Sequence, residues 1–341
     1  MLNRRNFLKT SAASVLAAGT FTNLVSAAAE PAKEGKFIWA NLLHLGYNMW
    51  GDVPTAYTPK TDKLLCNDAV WEKVTNEMQA AGMNLIVIDL GEAIQYKSHP
   101  ELAIEGSWSI EKLQKELKRL RGMGLEPIPK LNFSACHDIW LGEYSHMVST
   151  QKYYEVCADL IQEVCEIFDS PRFFHLGYDE ETANHQSTYE YVVIRQGELW
   201  WHDFLFFVDQ VNKQNVRPWI WSDYCWNHKE AFLQRMPKCV LQSNWYYGAS
   251  FDPEKSNYVQ TYLDLDKAGF DQVPTASNWS NDVNFGGTVE FCSKNLSPEL
   301  LKGFLQTAWK ATTEEFLDRQ LKAIEQVKTA MDKLNGAKTQ G

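Results

Sequence analysis

The chain has 341 residues, 33 of them basic and 43 acidic, for a net charge of −10 at neutral pH. A surface of that sign repels phosphate backbones, which excludes nucleic acid as a partner. Past residue 29 no stretch reaches the roughly 18–20 uninterrupted apolar residues of a spanning helix, so no stable membrane anchor is expected.

In chain order, the first feature is an export signal. Arg4-Arg5, then Phe7-Leu8, a mildly apolar run rich in Ala, Ser and Thr, and the small residues Ser26-Ala27-Ala28-Ala29 read as a twin-arginine signal over 1–29. Its partner would be the twin-arginine machinery, and its destination the periplasm or the medium. Its removal takes away Arg4, Arg5 and Lys9 and no acid, so the mature chain, 30–341, carries −13. That length suits one α/β barrel domain. The seven cysteines include no CxxC pair, and Cys157 and Cys165, eight apart on one predicted helix, are too distant to bridge. They read as small buried hydrophobes, with no zinc site.

Short apolar runs then alternate with helix-period segments. The predicted strands are Phe37–Leu43, Asn84–Leu90, Glu126–Leu131, Phe173–Leu176, Arg217–Trp221, Val240–Ser243, Gln272–Ala276 and Phe304–Ala308. Each is short and bounded by turn residues, as fully buried parallel strands are. The predicted helices are Ala69–Ala81, Ser109–Arg121, Gln151–Phe168, Glu190–Asn212, Lys229–Arg235, Asn257–Ala268 and Glu314–Leu334, with Thr288–Lys294 as a further candidate. Eight strands with helical crossovers predict a closed (β/α)8 TIM barrel. The alternative, an open doubly wound sheet, lacks a phosphate loop after its first strand.

Barrel enzymes place their chemistry just past the C-terminal strand ends. The sharpest such segment is Phe173-Phe174-His175-Leu176-Gly177-Tyr178-Asp179-Glu180-Glu181. Three successive carboxylates beside a buried strand repel one another and resist desolvation, which raises carboxyl pKa values toward those of a general acid. The competing reading has them open the next helix and complement its dipole. Seven tryptophans, Trp50, Trp140, Trp221, Trp226, Trp245, Trp279 and Trp309, fall at or just after predicted strand ends. Indole faces stack on sugar rings, so they suggest a carbohydrate pocket. Asp89, Glu92, Lys130, Asn132, His137 and Asp223 would ring it with hydrogen-bonding groups, with Asp52, Asp282 and Asn284 as further loop candidates. No hydrolase, metal-ligand or cofactor motif appears, and no cofactor is expected.

The segment from His175 to Glu180 resembles the His-x-Gly-Gly-Asp-Glu signature of glycoside hydrolase family 20, the β-N-acetylhexosaminidases. Gly82-Met83-Asn84, His99-Pro100-Glu101-Leu102, Gly106, Gly124-Leu125-Glu126-Pro127-Ile128-Pro129, His137, Trp221, Trp245 and Trp309 agree with that family in order. The resemblance implies Glu180 as proton donor and Asp179 as the residue orienting a substrate acetamido group, whose oxygen attacks the anomeric carbon. Tyr178 replaces the signature's second glycine, where it would crowd the approach to the pocket. Lys130 and Asn132 stand in place of the family's Glu and Asp, Glu92 in place of an Asp and Asp89 in place of a His. No arginine follows the first strand to clamp the outer hydroxyls. Two other readings remain: a two-carboxylate glycosidase pairing Glu180 with Asp223, and a carbohydrate-binding barrel without turnover.

Overall fold

A computed structural model describes residues 36–50 and 60–338. The expected export signal and Asp52 lie outside them. Eight parallel strands follow one another in the chain: β1 (Ile38–His44), β2 (Leu85–Asp89), β3 (Glu126–Lys130), β4 (Phe173–His175), β5 (Arg217–Trp221), β6 (Leu241–Ser243), β7 (Thr275–Ser277) and β8 (Gly303–Thr307). Their order is β6-β5-β4-β3-β2-β1-β8-β7. Bridges from Gln242 to Gln272 and from Trp245 to Thr275 join the two outer strands and close the ring. β7 starts later than expected because Pro274 offers no N–H to a ladder and interrupts the run from Gln272.

The helices are α1 (Asp68–Ala80), α2 (Ile110–Gly122), α3 (Gln151–Ile167), α4 (Gly197–Lys213), α5 (Tyr224–Arg235), α6 (Asn257–Lys267), α7 (Asn284–Asn295) and α8 (Leu317–Lys338). Four open on side-chain caps that accept first-turn N–H groups: Asn67, Ser109, Thr150 and Ser256. Among the described residues no helix is long and apolar enough to cross a membrane.

Strand alternation sorts the apolar side chains into two cores. Ile38, Ala40, Leu42, Leu85, Val87, Ile128, Phe173, Trp219, Trp221, Leu241 and Leu305 fill the barrel. Their neighbours in sequence, such as Leu43, Ile86, Ile88, Phe174, Ile220 and Phe304, face the helix layer. Continued past the strand ends, the inward parity reaches His44, Asp89, Lys130, Asn132, His175, Asp179, Asp223, Trp245 and Trp309.

The expected helix from Glu190 begins only at Gly197. The preceding Arg195 is withdrawn from any helix surface into a fully buried ion-pair group. Its Nε lies 3.0 and 3.1 Å from the two oxygens of Glu181, and its Nη1 lies 3.2 Å from Asp203. Its Nη2 donates to the Phe133 carbonyl at 2.8 Å. Glu181 is therefore a structural anion, and the three-carboxylate run does not open a helix. Replacing Arg195 by Leu would leave the buried Glu181 and Asp203 carboxylates without a cation, held only by neutral donors from Ala135, Ser149 and Tyr154. The expected loss is about 3–5 kcal/mol of unfolding free energy in urea titration, and a loss below 1 kcal/mol would contradict this role.

Candidate active site

The site grows from the exit of β4. Tyr178 and Glu180 both have positive φ, 77° and 59°, on either side of Asp179. Such backbone is strained for side-chain-bearing residues and persists only when neighbours over-determine it. Here Asn132 Oδ1 accepts from the N–H groups of Ser134 (3.0 Å) and Tyr178 (3.1 Å), while its Nδ2 donates to Asp179 at 2.9 Å. Ser134 Oγ donates to the Asp179 carbonyl, and the Glu180 N–H donates to Asp223 Oδ2 at 2.9 Å. At Gly177 (φ 68°) an added Cβ would overlap the Asn132 side chain, so the chain passes the asparagine without a side chain.

This turn brings Asp179, Glu180 and His137 together. His137 Nε2 lies 3.4 Å from Asp179 Oδ2 and 3.3 Å from Glu180 Oε2, and His185 Nδ1 lies 3.2 Å from the same Glu180 oxygen. Asp179 and His137 are buried, whereas the Glu180 side chain keeps 31% of its surface exposed. Burial opposes charge on His137, but Asp179 and Cys136 beside it prevail and hold the imidazole well above its ordinary value. Burial likewise opposes ionisation of Asp179, and the His137 cation, Lys130 and the Asn132 amide overcome it, holding this carboxyl below the usual range. Asp223 goes the other way: burial first, then the Asp179 charge, push it well up. Asp179 and Asp223, two neighbouring carboxyls, thus hold different protonation states through their surroundings alone.

Below the pair lies a polar floor. Asp89 accepts from Lys130 Nζ at 2.6 Å and has His44 Nδ1 at 3.2 Å. Lys130 is fully buried by this pairing. His175 Nδ1 accepts from the Gly177 N–H at 3.0 Å, which assigns its proton to Nε2. That Nε2–H and the indole N–H of Trp221 are buried donors without a partner among the described residues, on rings 4.2 Å apart.

Aromatic rings wall the mouth. Trp309 lies 5.8 Å from Trp221 and donates to the Tyr247 hydroxyl at 2.8 Å. Tyr247 stacks on Trp245 at 5.0 Å, and the Trp245 N–H points to Asp223 at 3.4 Å. Trp50 stands edge-on to His137, and Trp226 edge-on to Trp245. Trp279 sits under Lys310 and Arg319 on the β8 side.

Other expected site residues lie elsewhere. The Tyr178 side chain faces the helix layer, packed on Trp200, Phe204 and Phe207 with Arg195 over its ring. It does not crowd the mouth; its position is one step off the inward parity. Trp140 is buried core and donates to the Asn132 carbonyl. Glu92 braces the β1 exit, accepting from the N–H groups of Tyr47 (2.8 Å) and Asn48 (3.1 Å). Asn284 joins the β7 exit to the carbonyls of Tyr246 and Gly248, and Asp282 pairs with Lys322 at the surface. His44 and Tyr247, not singled out from the sequence, sit where the inward alternation of β1 and β6 places them; His185 lies in an aperiodic loop with no such signal.

No family model and no curated protein matches the chain. Solved structures do match in fold. A β-N-acetylhexosaminidase from Bacteroides fragilis is 13% identical with a TM-score of 0.56, over 85% of this chain and 65% of that one. A family 20 exo-β-N-acetylglucosaminidase from Vibrio harveyi, in complex with N-acetylglucosamine, is 12% identical with a TM-score of 0.58, over 88% and 57%. A chitobiase from Flavobacterium johnsoniae is 16% identical with a TM-score of 0.53, over 88% and 52%. The barrel is therefore of the kind found in family 20 β-hexosaminidases, and the chain spans between half and two thirds of the length of these three.

Burial drives the Glu92 carboxyl up to about 6 from its ordinary 4.5, against the two N–H groups it accepts. A folded-state value above the unfolded one contributes stability at low pH that is lost as pH rises through 6. Between pH 4 and 7 the wild type should lose about 2 kcal/mol relative to Glu92→Gln, by the roughly 1.4 kcal/mol carried by each pKa unit. Urea titrations of both proteins at the two pH values check this, and a difference that does not move with pH would refute it.

Proposed function

We propose that this protein is an exported glycoside hydrolase of the family 20 type. It would cleave a terminal glycosidic bond, with N-acetylhexosamine as the first sugar to test. In this reading the chain leaves the cell through the twin-arginine machinery. The observation that carries the proposal is the arrangement at the β4 exit: an ionised, buried Asp179 beside a solvent-reaching Glu180, under indole rings and above unpaired donors.

Each group has a task on this reading. Glu180, the more exposed carboxyl, protonates the leaving oxygen. Asp179, anionic and fixed by Asn132, accepts the N–H of an acetamido group and orients its oxygen toward the anomeric carbon. His137 balances the two acids. Trp245 and Trp309, partly exposed, offer ring faces for sugar, and the N–H groups of His175 and Trp221 are buried donors without a partner among the described residues.

Asp223 fits poorly as a protein nucleophile. Its oxygens already engage the Glu180 N–H and the Trp245 indole, and burial keeps it protonated. Substrate assistance needs no such nucleophile.

Hydrolysis of aryl β-N-acetylhexosaminides and a panel of other aryl glycosides tests the reading. Glu180→Gln should lower kcat by 10²-fold or more. Asp223→Asn should stay within about tenfold of wild type, because a neutral amide replaces a neutral acid. Abolition of turnover by Asp223→Asn, with Glu180→Gln active, would favour the two-carboxylate alternative. Sugar binding without turnover of any glycoside would favour a binding barrel.

A further inference from the structure

The aromatic wall continues past the mouth. From Trp309, whose indole N–H donates to the Tyr247 hydroxyl, rings follow one another outward. Centroids are 5.0 Å apart from Tyr247 to Trp245, 4.4 Å from Trp245 to Trp226, and 4.0 Å from Trp226 to Tyr258. Trp245 and Trp226 are partly exposed, and Tyr258, at the start of α6, keeps 41% of its surface open. Aromatic residues that serve only to pack α5 and α6 are buried, as Phe232 and Tyr262 are on those helices.

The row is fixed from beneath. Asn244, fully buried after β6, accepts from the Trp226 indole N–H at 2.8 Å and donates to the Tyr258 carbonyl at 2.7 Å. Asn257 donates to the Trp226 carbonyl at 3.3 Å. With its polar edge turned to Asn244, the Trp226 ring is placed before any ligand arrives, which lowers the ordering cost of binding.

Its position and shape select the ligand. The row starts beside the proposed proton donor: Asp223 accepts from the Glu180 N–H at 2.9 Å through one oxygen and faces the Trp245 indole N–H at 3.4 Å through the other. A general acid protonates the oxygen of the leaving group, so sugar rings bonded beyond that oxygen belong to the leaving saccharide. The row carries no charge, and the net −10 of the chain disfavours anionic ligands. Its successive planes are turned by 68° and 55°. A flat polycyclic ligand cannot follow such turns. A chain of pyranoses joined by rotatable glycosidic bonds can, laying apolar ring faces on the aromatic ones.

We infer that Trp226 and Tyr258 form an outer subsite for sugar rings of the leaving group, so that the substrate is an uncharged oligosaccharide chain. Trp226 takes the ring nearer the cleaved bond, and Tyr258 the next. The placement on the leaving side rests on the proposed function; the affinity for a sugar chain does not.

The test uses the full chain carrying Glu180→Gln, which slows cleavage of a bound saccharide. The probes are linear β-1,4-linked oligomers of N-acetylglucosamine and of glucose, one to four rings long. Isothermal titration should show affinity rising about tenfold or more from one ring to three in one series. Trp226→Ala and Tyr258→Ser should each cut that ratio by about threefold or more, a readout in which any general weakening of the fold cancels. With Glu180 restored, the same two variants should raise KM for the three-ring substrate rather than lower kcat. Binding that does not strengthen with length, or a ratio unmoved by both substitutions, overturns the inference, as does failure of both series to bind. Turnover of aryl glycosides with flat length dependence would remove the subsite and leave the proposed function standing. Length-dependent affinity that needs Trp226, in a protein that cleaves no glycoside, would do the reverse.

Discussion

A closed ring of parallel strands gives every second residue one destination, the inside of the barrel. That space is narrow and dry, so any polar side chain entering it must bring a partner. Along β1, β2 and β4 the earlier inward positions are accordingly hydrocarbon, and on β1 to β4 the last inward positions are His44, Asp89, Lys130 and His175, which meet across neighbouring strands. Lys130 is tolerable there because Asp89 accepts it, and Asp89 because Lys130 and His44 flank it. The same parity carried one or two steps further delivers Asn132, Asp179 and Asp223 to the rim.

This rule also explains how much could be read in advance. All eight strands and the barrel were legible, because buried parallel strands are short apolar runs between turn residues. The β4 exit was legible as a cluster of acids after a strand. What escaped is what alternation does not govern. Tyr178 looked like a rim residue by proximity, but it lies between two inward positions and so turns to the helices. Glu181 is the last acid of the run after β4, and only the three-dimensional approach of Arg195 and Asp203 shows it to be a structural charge. His185 reaches Glu180 from a loop without periodicity, where sequence carries no directional information.

Electrostatics then differentiates chemically similar groups. Asp179 and Asp223 are both buried at the same rim, yet one sits against an imidazolium and an amide and stays charged, while the other faces that charge and keeps its proton. Position relative to His137 decides between them, as it does between the two histidines, since His185 is lowered by burial and by the His137 charge.

Asn132 has a consequence for how such a site can change over generations. Its amide accepts two main-chain N–H groups through one end and donates to Asp179 through the other, a combination no carboxylate can supply. The family 20 pattern resembled by this sequence has an aspartate at that place. A single codon change at 132 toward that pattern would set two anions face to face and withdraw the donor fixing Asp179. Residues 132 and 177–180 are therefore coupled: an aspartate at 132 would need a compensating change at the β4 exit to keep Asp179 in place.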